Sequence, residues 1–126
     1  MKRILVIDDD EDFLRVLKFG LTKEGFDVFQ CNSGKAALSL LKSDNFAVIV
    51  SDYRLSDVSG LTIARAARKK SPPIPTILVT AYAGSLSSNL WENLPDRIYS
   101  KPIDFDTLID AIEDLISKTP LNNTKE

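Results

Sequence analysis

The stretch Ala47-Val48-Ile49-Val50-Ser51-Asp52 decides the fold. It is a short apolar run that stops at an acid. A turn-rich stretch follows, Tyr53-Arg54-Leu55-Ser56-Asp57-Val58-Ser59-Gly60. A brief run without polar alternation reads as a strand buried on both faces, as in a parallel sheet. An acid at the end of such a strand sits where open parallel sheets bind their ligands.

Three more runs end in polar groups. Ile4-Leu5-Val6-Ile7 stops at Asp8-Asp9-Asp10, Ile77-Leu78-Val79 stops at Thr80, and Ile98-Tyr99-Ser100 stops at Lys101-Pro102. Strands are predicted near residues 3–8, 26–30, 47–51, 76–80 and 97–100. Helices are predicted near 12–24, 34–43, 60–70, 85–93 and 105–118. In the last of these, Phe105, Leu108, Ile109, Ile112, Leu115 and Ile116 share one helical face, with Asp104 as N-cap. Gly25 reads as the glycine that stops the first helix, and Pro72, Pro73 and Pro75 block continuation of the third. The helix at 85–93 has the weakest formers, Gly84-Ser85-Leu86-Ser87-Ser88-Asn89. Five strand–helix alternations imply an α/β fold, with a parallel sheet between layers of helices. Asp27-Val28-Phe29-Gln30 alternates more than the other runs and fits an edge strand.

Composition narrows the chemistry. The 126 residues suit one domain, 44% are apolar and the net charge is −2. That balance argues against a nucleic-acid surface, and Arg65, Arg68, Lys69 and Lys70 read as a solvated helix end. No segment approaches the ~20 apolar residues of a membrane span, and a single cysteine, Cys31, forms no internal disulfide. The chain reads as cytoplasmic. It has no histidine, so Ser-His-Asp and Cys-His nucleophile systems are excluded and a zinc site is disfavoured. Carboxylate, lysine and hydroxyl chemistry with hard cations remains.

In a parallel sheet all strand C-termini share one edge. Asp8, Asp9, Asp52, Thr80 and Lys101 therefore converge there. Two carboxylates ~4 Å apart repel by about 4 kcal/mol at an effective dielectric of about 20. Several in one pocket call for a cation, and oxygen ligands of this kind suit magnesium. Lys101 adds a compact positive charge suited to a phosphoryl oxygen. Such a set fits phosphoryl transfer to Asp52, giving an acyl phosphate that Thr80 could hydrogen-bond. Each piece alone has an ordinary reading: an acidic helix start, a turn aspartate, a β-branched strand end, a surface lysine. Four of them at four strand ends make coincidence a poor explanation.

These residues resemble the receiver domain of two-component response regulators. The resemblance spans about residues 2–118 and rests on Ile4-Leu5-Val6-Ile7-Asp8-Asp9-Asp10, Ser51-Asp52 with Gly60, Thr80-Ala81 and Lys101-Pro102. It implies a doubly wound, flavodoxin-like (α/β)5 sandwich with a five-stranded sheet of order 2-1-3-4-5. Residues 119–126 would be a polar tail or the start of a linker. It implies Asp52 as phosphoacceptor, with magnesium (or manganese) held by Asp9, Asp52, the Arg54 carbonyl and, through water, Asp8. Thr80 and Lys101 would contact the phosphoryl group, and the Lys101–Pro102 bond would be cis. Tyr99 would be a switch aromatic that turns inward as Thr80 moves. The face changed would be that of the fourth and fifth helices and the fifth strand. Arg54 and Tyr82 would tune the phosphoryl lifetime. The implied partners are a sensor histidine kinase or histidine phosphotransfer protein and an unknown output domain or protein. Homodimerisation on phosphorylation fits the family, whereas direct nucleic-acid or membrane contact is not expected. Two departures stand out: Asp10 replaces a usual Glu, and Ser56 replaces a common proline, so a more flexible loop is expected after Asp52. The competing readings are an aspartyl-nucleophile phosphatase, which would want a second acid where Arg54 stands, and a non-phosphorylated pseudo-receiver.

Overall fold

The computed structural model describes residues 2–81 and 95–118. The helix expected near 85–93, Tyr82 and the tail 119–126 lie outside the described residues. In chain order the elements are β1 (Arg3–Ile7), α1 (Glu11–Lys23), β2 (Asp27–Cys31), α2 (Gly34–Ser43), β3 (Val48–Ser51), α3 (Gly60–Arg68), β4 (Thr76–Thr80), β5 (Arg97–Ser100) and α4 (Phe105–Lys118). The five strands are all parallel, in the order β2-β1-β3-β4-β5. The sheet reverses its direction of growth between β1 and β3, and a crevice opens at the carboxyl ends of those strands.

The central strands β1, β3 and β4 are buried almost throughout, whereas β2 and β5 are part-exposed edges. Alternation along each strand splits the core in two. Ile4, Val6, Val48, Val50, Ile77 and Val79 pack under α1 and α4. Leu5, Ile7 and Ile49 pack under α2 and α3. Gly20 lets α1 and α4 approach, since a Cβ there would lie 2.5 Å from the Phe105 ring.

Local chemistry sets the helix ends. The Asp10 carboxylate accepts the N–H groups of Asp12 and Phe13, so α1 begins at Glu11. At its other end Gly25 takes φ 96°. Its N–H reaches the Thr22 carbonyl while that of Phe26 reaches Leu21, a Schellman closure. Asp104 caps α4 through the Thr107 N–H at 3.2 Å. Among the described residues no helix is long and apolar enough to cross a membrane.

Candidate functional site

Hydrogen bonds between main chains put β1, β3 and β2 in step at the carboxyl edge. The Asp52 N–H donates to the Ile7 carbonyl at 3.0 Å, and the Asp8 N–H donates to the Cys31 carbonyl at 3.2 Å. Asp8 and Asp52 therefore leave adjacent strands at the same level. From β5, Lys101 reaches back to both. Its Nζ donates to Asp8 Oδ2 at 2.8 Å and to Asp52 Oδ2 at 3.1 Å. One ammonium thus bridges two carboxylates from two strands. The Lys101 N–H donates to the Thr80 carbonyl at 3.0 Å, which fixes the end of β5 against β4. The Lys101–Pro102 peptide bond is cis.

The other carboxylate oxygens take main-chain donors. Asp8 Oδ1 accepts the Asp10 N–H at 2.9 Å, and Asp52 Oδ1 accepts the Arg54 N–H at 3.2 Å. Asp8 is 3% exposed. Burial pushes its carboxyl above the usual range, and the Lys101 ammonium and Asp10 N–H only partly offset this. For Lys101 burial acts downward, but Asp8 and Asp52 outweigh it and hold the ammonium protonated. Asp9 and Arg54 are exposed beside the crevice.

Two further neighbours shape the site: Phe13, which lies outside the sequence motif, and Gly60, which belongs to it. Lys101 Nζ sits 4.5 Å from the centre of the Phe13 ring on α1, a cation–π contact that walls one side of the ammonium. Gly60 presses on the Asp52 main chain: a Cβ there would lie 2.4 Å from the Asp52 carbonyl oxygen. The loop after Asp52 is also tied down despite Ser56. Gly60 N–H donates to the Tyr53 carbonyl at 2.7 Å, Arg54 and Ser59 form an antiparallel bridge, and Leu55 and Val58 pack into the core.

Thr80 and Tyr99 are not brought together. Thr80 is completely buried. Tyr99 is the register partner of Val79 and packs with it under α1 and α4. Thr80, one residue beyond Val79, points to the opposite face. An inward turn of Tyr99 toward Thr80 would therefore have to cross from one face of the sheet to the other. Beside Tyr99, Arg97 pairs with Asp114 on α4. The nearby Tyr99 foremost, together with Asp114, raises the Arg97 guanidinium pKa. On the Thr80 face β5 presents Ile98, the partner of Leu78.

Among the described residues no group of three or more potential ligands forms a ready-made cation cage. Two carboxylates meet through a lysine instead, with Asp9 and the Arg54 main chain close in sequence. Magnesium takes few protein carboxylates and keeps several waters, so this oxygen set fits it. The buried, electrostatically under-compensated Asp8 is itself a reason for added positive charge. Burial pushes the Cys31 thiol pKa up, away from the thiolate a nucleophile needs.

Known proteins agree with this geometry. The sequence model of the response regulator receiver domain matches residues 4–113. The transcriptional regulatory protein GlrR of Escherichia coli is 28% identical over 126 residues, covering 92% of this chain and 26% of that protein. The response regulator receiver protein CpdR of Brucella abortus is 29% identical over 118 residues, covering 92% of this chain and 98% of that protein. The chain thus spans about a quarter of some curated relatives and nearly the whole of another. Among solved structures, a receiver domain protein from Clostridium thermocellum superposes with a TM-score of 0.85 at 26% identity, covering 94% of this chain and 96% of that one. The response regulator TrrA of Thermotoga maritima, in complex with Mg2+ and BeF, gives 0.78 at 34% identity, covering 91% and 99%. With a family model matching most of its length over this fold and this strand-end site, the chain belongs to the response regulator receiver domain family.

Proposed function

We propose that the chain is a phosphorelay switch in which Asp52 takes a phosphoryl group from the phosphohistidine of a sensor kinase or histidine phosphotransfer protein. The observation that carries this is the Lys101 bridge between Asp8 and Asp52. An Asp52 carboxylate oxygen attacks phosphorus, the phosphorus–nitrogen bond breaks, and the imidazole of the donor leaves. Lys101 already faces the attacking carboxylate, so it is positioned to neutralise charge on the transferring group. Asp8, Asp9, Asp52 and the Arg54 carbonyl would hold magnesium, which when bound supplies further positive charge to the phosphoryl oxygens. That TrrA is seen with Mg2+ and BeF supports both the metal and the phosphoryl-like occupant.

Thr80 lies at the end of β4 and would hydrogen-bond the arriving phosphoryl group. Its movement would be read on its own face of the sheet, where Ile98 is the β5 side chain, and not through Tyr99. A small charge event would then bias a two-state surface that a downstream domain or protein reads. Arg54 and Tyr82 would shield the phosphoryl group from water.

The test is beryllofluoride with magnesium, followed by amide chemical shifts. Saturable shifts at Asp52, Thr80 and Lys101 that vanish in Asp52→Asn support the switch. Wild-type protein that stays silent at saturating magnesium refutes it and leaves a pseudo-receiver.

A further inference from the structure

Asp57 lies in the loop after β3 yet bonds to a different element. Its Oδ1 accepts the Gly34 N–H at 3.0 Å and its Oδ2 the Lys35 N–H at 2.9 Å, while Oδ1 also takes the Val58 N–H at 2.8 Å. Gly34 and Lys35 open α2. The remaining donor of that first turn, the Ala36 N–H, goes to the Ser33 hydroxyl at 3.1 Å. The start of α2 is therefore capped jointly by its own Ser33 and by a carboxylate from 23 residues away. The Lys35 N–H foremost, with those of Gly34 and Val58, holds the Asp57 carboxyl below the usual range.

The fit is close as well as charged. A Cβ at position 34 would lie 2.1 Å from Val58 Cγ2 and 3.1 Å from Asp57 Oδ1. Glycine there lets the loop lie directly on the helix end. At its other side the loop meets Asp52, whose Oδ1 accepts the Arg54 N–H. The Arg54–Ser59 bridge joins the two sides. The loop is thus held between α2 and Asp52.

We infer that Asp57 is a positioning residue for the phosphoryl-accepting site: by clamping the loop to α2 it keeps the Arg54 main chain against Asp52, where its carbonyl can serve the cation. This rests on the switch reading above. A cap of α2 alone would affect only stability. A positioning role would change cation affinity, as residues that orient a ligand commonly do by about 10- to 100-fold.

Wild type, Asp57→Ala and Asp57→Asn are compared in two measurements. In metal-free protein, amide hydrogen exchange at Gly34 and Lys35 should accelerate in Asp57→Ala. In a magnesium titration followed by the Asp9 and Arg54 amide shifts, Asp57→Ala should need about tenfold more magnesium. At saturation it should still accept beryllofluoride, and Asp57→Asn, which keeps one acceptor oxygen, should fall between. Unchanged exchange at Gly34 and Lys35 overturns the clamp. Faster exchange with a wild-type magnesium midpoint reduces Asp57 to a helix cap and overturns the positioning role. A wild type without magnesium or beryllofluoride response removes the switch reading, and this inference with it.

Discussion

Tyr99 and Thr80 sit on opposite faces of the sheet, because Tyr99 pairs with Val79 and Thr80 with Ser100. Arg97, two residues before Tyr99 on β5, pairs with Asp114 on α4. Tyr99→Phe keeps the ring packed against the core and should cost no more than about 1 kcal/mol of stability. It should leave the beryllofluoride-induced shifts intact. Ile98→Ala should alter those shifts around Thr80. Loss of the response in Tyr99→Phe, with Ile98→Ala unaffected, would restore Tyr99 as the readout.

Asp8 is costly to bury as an anion. Its native pKa is raised above the ordinary 3.8. The native state therefore holds its proton more tightly than the unfolded chain does. Its contribution favours folding below pH 3.8 and is lost as pH climbs through the raised native value. Near neutrality Asp8→Asn should raise the melting temperature of metal-free protein, on the order of 3 °C. The advantage should vanish in acid, and magnesium binding should weaken. Lower stability of the variant at neutral pH would show that the Lys101 pair outweighs the burial penalty.

Gly60 and Gly25 differ in why they are glycine. At Gly60 an added Cβ meets the Asp52 carbonyl, a main-chain atom that cannot swing aside. Gly60→Ala should cost about 1–3 kcal/mol and slow Asp52 phosphorylation by about tenfold or more. At Gly25 there is open space but φ is positive, so Gly25→Ala should cost about 1 kcal/mol and spare phosphorylation. Urea melts with acetyl phosphate kinetics separate the two. Equal phosphorylation rates in both variants would contradict the contact at Gly60.

How far these features were readable follows from their range in the chain. Short apolar runs gave β1, β3 and β4 because both faces are buried, and the more polar β2 was recognisable as an edge. The Asp8, Asp52 and Lys101 triad was readable because strand ends in a parallel sheet share an edge. The face that a β5 side chain uses was not, since it depends on register with β4, and a one-residue shift reverses it. Phe13 under Lys101, Phe105 against Gly20 and Asp57 on α2 are contacts between distant segments, with no local pattern to announce them. The start of α1 moved because Asp10, grouped with the site acids, spends its side chain capping the helix.

Arg54 and Tyr82 stand two residues beyond Asp52 and Thr80. If they screen the phosphoryl group, replacing both with alanine should shorten the phosphoprotein lifetime several-fold. Decay of the phosphorylated mass after removal of the donor measures it, and an unchanged lifetime ends that idea.

The central claim, that Asp52 accepts a phosphoryl group in a site made by Asp8 and Lys101, is tested most directly by intact-protein mass after incubation with acetyl phosphate and magnesium. One phosphoryl group per chain is predicted, lost with a chelator and in Asp52→Asn, and strongly reduced in Lys101→Ala. A phosphoryl group that persists in Asp52→Asn, or none on the wild type at saturating donor and magnesium, would contradict the account.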